Sequence, residues 1–204
     1  MLHYKSVDPK LLGLLKKLQG VPEFGKLRLA GGTSLALQIG HRKSIDIDLF
    51  GEIDIDAITI SQLLNPLGSL TKIHETENIH IYSLDTIKVD IVKYPYKWID
   101  NPVICDDLIL ASTKDIAALK LYAILDKGTK NDYIDLHFLL KQYKMEELLQ
   151  FYQEKYYDGS LFLVVKSMMY FEDADLNEMP FMLENVKWNE IKNSITSKVK
   201  KYLN

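Results

Sequence analysis

The chain has 204 residues, with 25 Lys and Arg against 28 Asp and Glu, a net charge of −3 and 47% hydrophobic residues. That balance excludes wholesale disorder and a uniformly basic nucleic-acid binder, and the length suits one large domain or two small ones with a real core. A single cysteine, Cys105, excludes an internal disulfide and a cysteine-rich metal site, and points to a reducing cytoplasm. The opening Met1-Leu2-His3-Tyr4-Lys5 has no signal-peptide character. The longest apolar runs, such as residues 161–165, fall far short of the roughly 20 residues a spanning helix needs, so no membrane segment is expected.

Residues 8–19 read as a helix, with Asp8 as N-cap, Pro9 at the first helical position and a stripe of Leu11, Leu14, Leu15 and Leu18. Residues 26–30 read as a strand that runs into Gly31-Gly32. A helix over 33–39 follows, stopped by Gly40. Residues 45–50 alternate apolar and acidic, as a half-buried strand does. Asp54 and Asp56 read as loop and cap material before a helix over 58–67. Three β-type runs follow, 71–76, 79–84 and 87–94. Glu77-Asn78 and Asp85-Thr86 suit tight turns between them, which predicts an antiparallel meander. Beyond residue 105 the periodicity turns helical. Ser112 and Asp115 have capping-box spacing at the head of a helix to about 126, and further helices are expected over 130–143, 145–157, 161–171 and 188–202. The expected architecture is α+β: a mixed α/β core over 1–105 and a helical domain over 106–204.

Gly31-Gly32-Thr33-Ser34 lies where a strand ends and a helix begins. Glycines let backbone approach a ligand closely, and free N–H groups at a helix start favour a phosphate. A plain turn capped by Thr33 or Ser34 is the alternative. In Ser44-Ile45-Asp46-Ile47-Asp48-Leu49-Phe50, residues two apart share a face, so Asp46 and Asp48 lie about 6.6–7 Å apart on one side. Paired carboxylates repel unless a cation lies between them, and Mg²⁺ is the natural hard cation. A solvent-facing acidic edge strand is the alternative. Asp90, in Lys88-Val89-Asp90-Ile91-Val92, sits in an apolar run where a lone carboxylate is costly unless paired or metal-bound. A glycine turn, an Asp-x-Asp strand and a third carboxylate on a later strand form the layout that two-metal phosphoryl transfer requires.

These motifs resemble the AbiEii/AbiGii toxin-type nucleotidyltransferases of the DNA polymerase β-like superfamily. The resemblance rests on residues 31–35, on His41-Arg42-Lys43-Ser44-Ile45-Asp46-Ile47-Asp48-Leu49-Phe50, and on a helical motif over 115–123 and 127–136 that contains Lys120, Asp132 and Asp135. It implies a nucleotidyltransferase-like mixed sheet flanked by helices, then a C-terminal helical bundle that completes the active site. It implies that Gly31, Gly32, Thr33, Ser34, Arg42 and Lys120 bind the nucleotide, and that Asp46, Asp48 and Asp90 ligate Mg²⁺, or Mn²⁺. Catalysis would then fall to Asp46, Asp48, Asp90, Lys120 and Asp132. Read from spacing alone, Lys120 can snorkel to the surface, and Asp132 and Asp135 suit any helix start. Lys127 and Asn131 stand where the family often has Arg. His41 reads as a surface or capping residue, and Lys187, Lys192, Lys198, Lys200 and Lys201 read as a solvated helix face, or as a phosphate rail if the acceptor is RNA.

The implied activity is transfer of a nucleoside monophosphate from an NTP to the hydroxyl of an RNA (a tRNA 3′ end) or of a protein. The implied setting is the toxin of a toxin–antitoxin or phage-defence pair, with a cognate antitoxin as partner. The alternative is a non-catalytic nucleotide-binding or interaction module that retained the fold.

Overall fold

Asp8 accepts a hydrogen bond from the Lys10 backbone, and Pro9 supplies a preset φ, so the first helix, α1 (Pro9–Gln19), starts where both signals coincide. The computed structural model describes residues 1–204 and divides the chain into two compact units. The first comprises Met1–Pro95 and Pro102–Ala111; the second comprises Tyr96–Asn101 and Ser112–Asn204.

In the first unit, β1 (Leu27–Leu29) leads into α2 (Gly31–Ile39), β2 (Ile47–Gly51) and α3 (Ala57–Leu64). The meander β3 (Leu70–Glu75), β4 (Ile79–Leu84) and β5 (Ile87–Lys93) follows, antiparallel as the turn residues predict. A hairpin of β6 (Val103–Cys105) and β7 (Leu108–Leu110) completes one mixed sheet of seven strands in the order β3-β4-β5-β2-β1-β7-β6. The hairpin's three-residue strands carry no periodicity to read. It turns on Asp106 and Asp107, whose φ values of 52° and 65° suit a two-residue hairpin turn. A boundary at residue 105 would pass through this hairpin, which stays whole within the first unit.

Strand alternation decides what each face of the sheet does. Ile47, Leu49, Val89, Ile91, Tyr82 and Leu84 point one way and join Leu11, Leu15, Leu18, Ile60 and Leu64 in a single buried core. Each fully buried aliphatic side chain there contributes about 1.5–3 kcal/mol of transfer free energy. Tyr82 is buried among them, and its hydroxyl lies 3.2 Å from the Ser61 hydroxyl. Asp48, Phe50, Asp90 and Val92 occupy the alternate positions and point to the opposite face.

The second unit is helical: α4 (Thr113–Lys127), α5 (Lys130–Gln142), α6 (Met145–Lys155), α7 (Leu161–Ser167), a short α8 (Glu172–Asp175) and α9 (Trp188–Leu203). Ser112 caps α4 by accepting from the Asp115 backbone. The Asp115 carboxylate accepts from the backbone of Ile99 and Asp100, and pairs with Lys155 at 2.8 Å in a fully buried ion pair. Lys155 also donates to the Lys97 carbonyl, so this one pair ties the 97–100 segment to the helices. No helix is long and apolar enough to cross a membrane.

Candidate active site

β2 and β5 lie side by side and parallel, and Asp48 is the direct partner of Asp90. Partners across adjacent strands share a face at about 4.8 Å strand spacing, so the two carboxylates are neighbours. Asp46 immediately precedes β2, where Ile45 is exposed and the strand alternation has ended, but it is near enough to feel the charges of Lys88 and Asp90. Three acidic side chains from two separate stretches therefore lie close together, Asp48 and Asp90 on the face opposite the core.

The glycine turn sits against them. Gly31 has φ +60°, and a Cβ there would lie 2.0 Å from Asp48 Oδ2. A Cβ on Gly32 would lie 2.3 Å from Arg42 Nη2. The missing side chains thus make room for the Asp48 carboxylate and the Arg42 guanidinium at the start of α2, where the helix presents its free N–H groups. Arg42 is only 3% exposed and donates to the Lys43 carbonyl. α2 begins at Gly31 rather than at Thr33, with Ala30 as N-cap and no capping side chain. The hydroxyls of Thr33 and Ser34 are already engaged: Thr33 bonds the Ser44 hydroxyl and the Asp46 carbonyl, and Ser34 Oγ accepts from Gln38. The Thr33 bonds fix the approach to β2 and hence the position of Asp46. His41 is fully buried rather than at the surface.

Lys88 is the cation of this face, and the sequence motif gave it no role. Two residues before Asp90 on the same strand, it shares that residue's face, and its Nζ lies 2.5 Å from Asp90 Oδ2. Burial alone would lower the Lys88 ammonium. The hydrogen bond and charge of Asp90, with the charges of Asp48 and Asp46, overcome this and hold it above its usual value. Burial raises the Asp46 carboxyl; Lys88 opposes that, Asp90 adds to it, and Arg42 opposes it. Asp90 Oδ1 is buried with no hydrogen-bond partner.

An orphaned carboxylate oxygen beside two more carboxylates is a donor set for a hard divalent cation such as Mg²⁺. As the side chains stand, no three His, Cys, Asp or Glu groups close on one metal position. The chemistry of the donors fits the ion, and Asp46, Asp48 and Asp90 are the side chains that would hold it. A cavity of about 780 Å³ lies between α1 and the strand ends, bordered by Asp8, Lys10, Leu11 and Lys17 and by Asp46, Asp85 and Lys88; Asp48, Asp90 and the glycine turn do not line it.

The other two candidates, Lys120 and Asp132, belong to the second unit. They are brought together there: Lys120 Nζ lies 2.8 Å from Asp132 and 2.8 Å from Asp135. Asp132 also accepts from the backbone and hydroxyl of Thr129. Burial works to raise the Asp132 carboxyl, but the Lys120 charge and these hydrogen bonds hold it below the usual range. Lys120 is buried and does not snorkel. On α9, Lys192 pairs with Asp175 and Lys198 bonds the Leu140 carbonyl, so these lysines are partly committed within the unit.

The family model for the nucleotidyl transferase AbiEii toxin of Type IV toxin–antitoxin systems matches residues 13–202. The chain belongs to the AbiEii nucleotidyltransferase toxin family. The Aquifex aeolicus (strain VF5) protein aq_aa25, described as uncharacterized, is 35% identical over 181 residues, 86% of this chain and 87% of that one. Two Helicobacter pylori crystal structures share the fold at 20% identity. One, titled as a candidate nucleotidyltransferase, has TM-score 0.64 and covers 94% of this chain and 91% of its own. The other, JHP933, has TM-score 0.60 and covers 98% and 89%. The mixed sheet and helices expected from the motifs are thus those of a nucleotidyltransferase fold.

Proposed function

We propose that this AbiEii-family chain is a Mg²⁺-dependent nucleotidyltransferase, with Mn²⁺ as the alternative ion, that moves a nucleoside monophosphate from an NTP to an acceptor hydroxyl. The observation that carries this reading is the register pairing of Asp48 with Asp90 beside the glycine-lined start of α2, with Asp46 close by at the head of β2. The acceptor hydroxyl releases its proton to solvent as its oxygen bonds the α-phosphorus, the α–β bridging P–O bond breaks, and pyrophosphate leaves with the electron pair. Bound metal ions supply charge neutralisation on the phosphates and a lowered pKa at the acceptor hydroxyl.

Asp46, Asp48 and Asp90 are the proposed ligands. The backbone N–H groups of Gly31 and Gly32 and the Arg42 guanidinium are positive groups for the triphosphate. The Thr33 hydroxyl contributes by holding Asp46 in place, and Ser34 contributes through its backbone. In the helical unit, Asp132 fixes the Lys120 ammonium, which the resemblance assigns to catalysis. The acceptor we propose is the hydroxyl of an RNA, such as a tRNA 3′ end, or of a protein. The biological setting we propose is the cytoplasmic toxin of a toxin–antitoxin or phage-defence pair, with an antitoxin partner.

One observation favours the non-catalytic reading: Lys120 is already balanced by two carboxylates. Incubation with labelled NTPs, Mg²⁺, total RNA and lysate protein separates the two readings. Label transfer that disappears in Asp46→Asn and Asp90→Asn supports the enzyme. NTP binding with no transfer to any acceptor supports the binding module.

A further inference from the structure

Three carboxylates close together cannot stand without a counter-charge. Lys88 is the cation seated directly on one of them. Its Nζ lies 2.5 Å from Asp90 Oδ2, and its side chain is 41% exposed while that of Asp90 is 16% exposed. The ammonium thus reaches inward from a half-exposed stem onto a largely buried acid. Asp90 Oδ1, on the same carboxylate, is buried and bonded to nothing. A carboxylate with one oxygen held by an ammonium and the other unpartnered is half satisfied, and a second cation is one group that can satisfy the rest without loss of the charge.

We propose that Lys88 is a resident counter-ion that holds the acidic face together before metal binding and yields Asp90 Oδ2 when a divalent cation enters. This rests on the metal-site reading above and adds a residue that the motif leaves unassigned. The ammonium has somewhere to go. Lys88 borders the cavity beside Asp46, so rotation of its stem moves the charge out of the carboxylate cluster without leaving the site. Arg42 also acts on Asp46, so two cations already offset part of the charge of the three carboxylates before any metal enters. The lysine competes with the metal for Asp90. The same exchange explains why no three acidic groups close on one point while Lys88 is in place.

The test is divalent-ion affinity, read by calorimetry with Mg²⁺ and by loss of the free Mn²⁺ spin-resonance signal, on the full chain without nucleotide. Lys88→Met keeps the stem and removes the charge. It should bind both ions about tenfold tighter than wild type, because a like charge a few ångströms from the ion has gone. Its melting temperature without metal should fall, and metal should restore it. Lys88→Arg keeps the charge and should bind within about threefold of wild type. Equal or weaker binding by Lys88→Met, with wild type binding normally, overturns the proposal alone and makes Lys88 an orienting partner of Asp90. No binding by wild type overturns the metal reading, and this proposal with it.

Discussion

Replacing Gly31 with alanine tests the site's construction in one atom. The position has φ +60°, which costs an L-residue about 1–2 kcal/mol. The added Cβ would also fall 2.0 Å from Asp48 Oδ2 and 2.9 Å from Cγ, far inside contact distance. The carboxylate must move, and Asp48 has little backbone freedom, because its carbonyl accepts from Ala30 at 2.8 Å and its strand is paired on both sides. For a chain of this size each kcal/mol shifts the melting temperature by roughly 2–4 °C, so a loss of about 2–8 °C is expected from the backbone cost. The stabilisation by Mg²⁺ should shrink as well, since the displaced carboxylate is a proposed ligand. Gly13, within α1, is the matched control. A Cβ there meets nothing within 4 Å, and alanine in a helix interior should stabilise by about 0.5–1 kcal/mol. Thermal melting of both variants with and without Mg²⁺ decides the matter. A Gly31→Ala chain that melts like wild type and keeps its full Mg²⁺ response would refute the placement of Asp48 against the glycine turn.

Lys120→Met should destabilise the helical unit by about 3–5 kcal/mol, read by chemical denaturation, because it leaves Asp132 and Asp135 buried together without a cation. His137 is held down to about 4 by burial, with Lys141 and Lys198 adding to the effect. The unfolded chain therefore takes up that proton first, so stability is full above about pH 6.5 and falls as the pH drops towards 4. A pH series of melting curves should show this slope, flattened in His137→Leu. Asp46→Asn and Asp90→Asn should each abolish label transfer while leaving the far-ultraviolet circular dichroism unchanged; activity at wild-type level in both removes the metal assignment.

Much of the architecture is legible because local physics and the final fold agree. The Asp8-Pro9 start, the leucine stripe of α1, the Ser112 cap and the two tight turns of the meander all act within a few residues, and the structure keeps each of them. Strand period alone predicts that Asp46 and Asp48 share a face, but β2 begins only at Ile47 and leaves Ile45 exposed, so the period covers Asp48 and not Asp46. That Asp90 joins them does not follow from the period, since it depends on β5 crossing back to lie parallel beside β2, in a register set by the whole sheet. The hairpin at 103–110 is illegible for a related reason: three-residue strands take their structure from β1, not from their own pattern.

The glycine turn shows the limit at the level of side chains. Sequence identifies glycines that something approaches closely, but not that the approaching groups are Asp48 and Arg42 of the same chain. Nor does it show that Thr33 turns its hydroxyl to the Asp46 carbonyl. Lys88 is within reach of the same strand-period argument that pairs Asp46 with Asp48. In a Lys-x-Asp alternation the pleat by itself puts both side chains on one face.

The central claim is that Asp46, Asp48 and Asp90 converge on divalent metal. It is tested most directly by a crystal structure of the full chain with Mn²⁺ and a non-hydrolysable NTP, using anomalous scattering to locate the ions. The account predicts a peak bonded to oxygens of these carboxylates, with Lys88 withdrawn from Asp90 and the triphosphate at the start of α2. Nucleotide bound with no anomalous peak at these residues, or a peak held by other groups while Lys88 stays on Asp90, would contradict it.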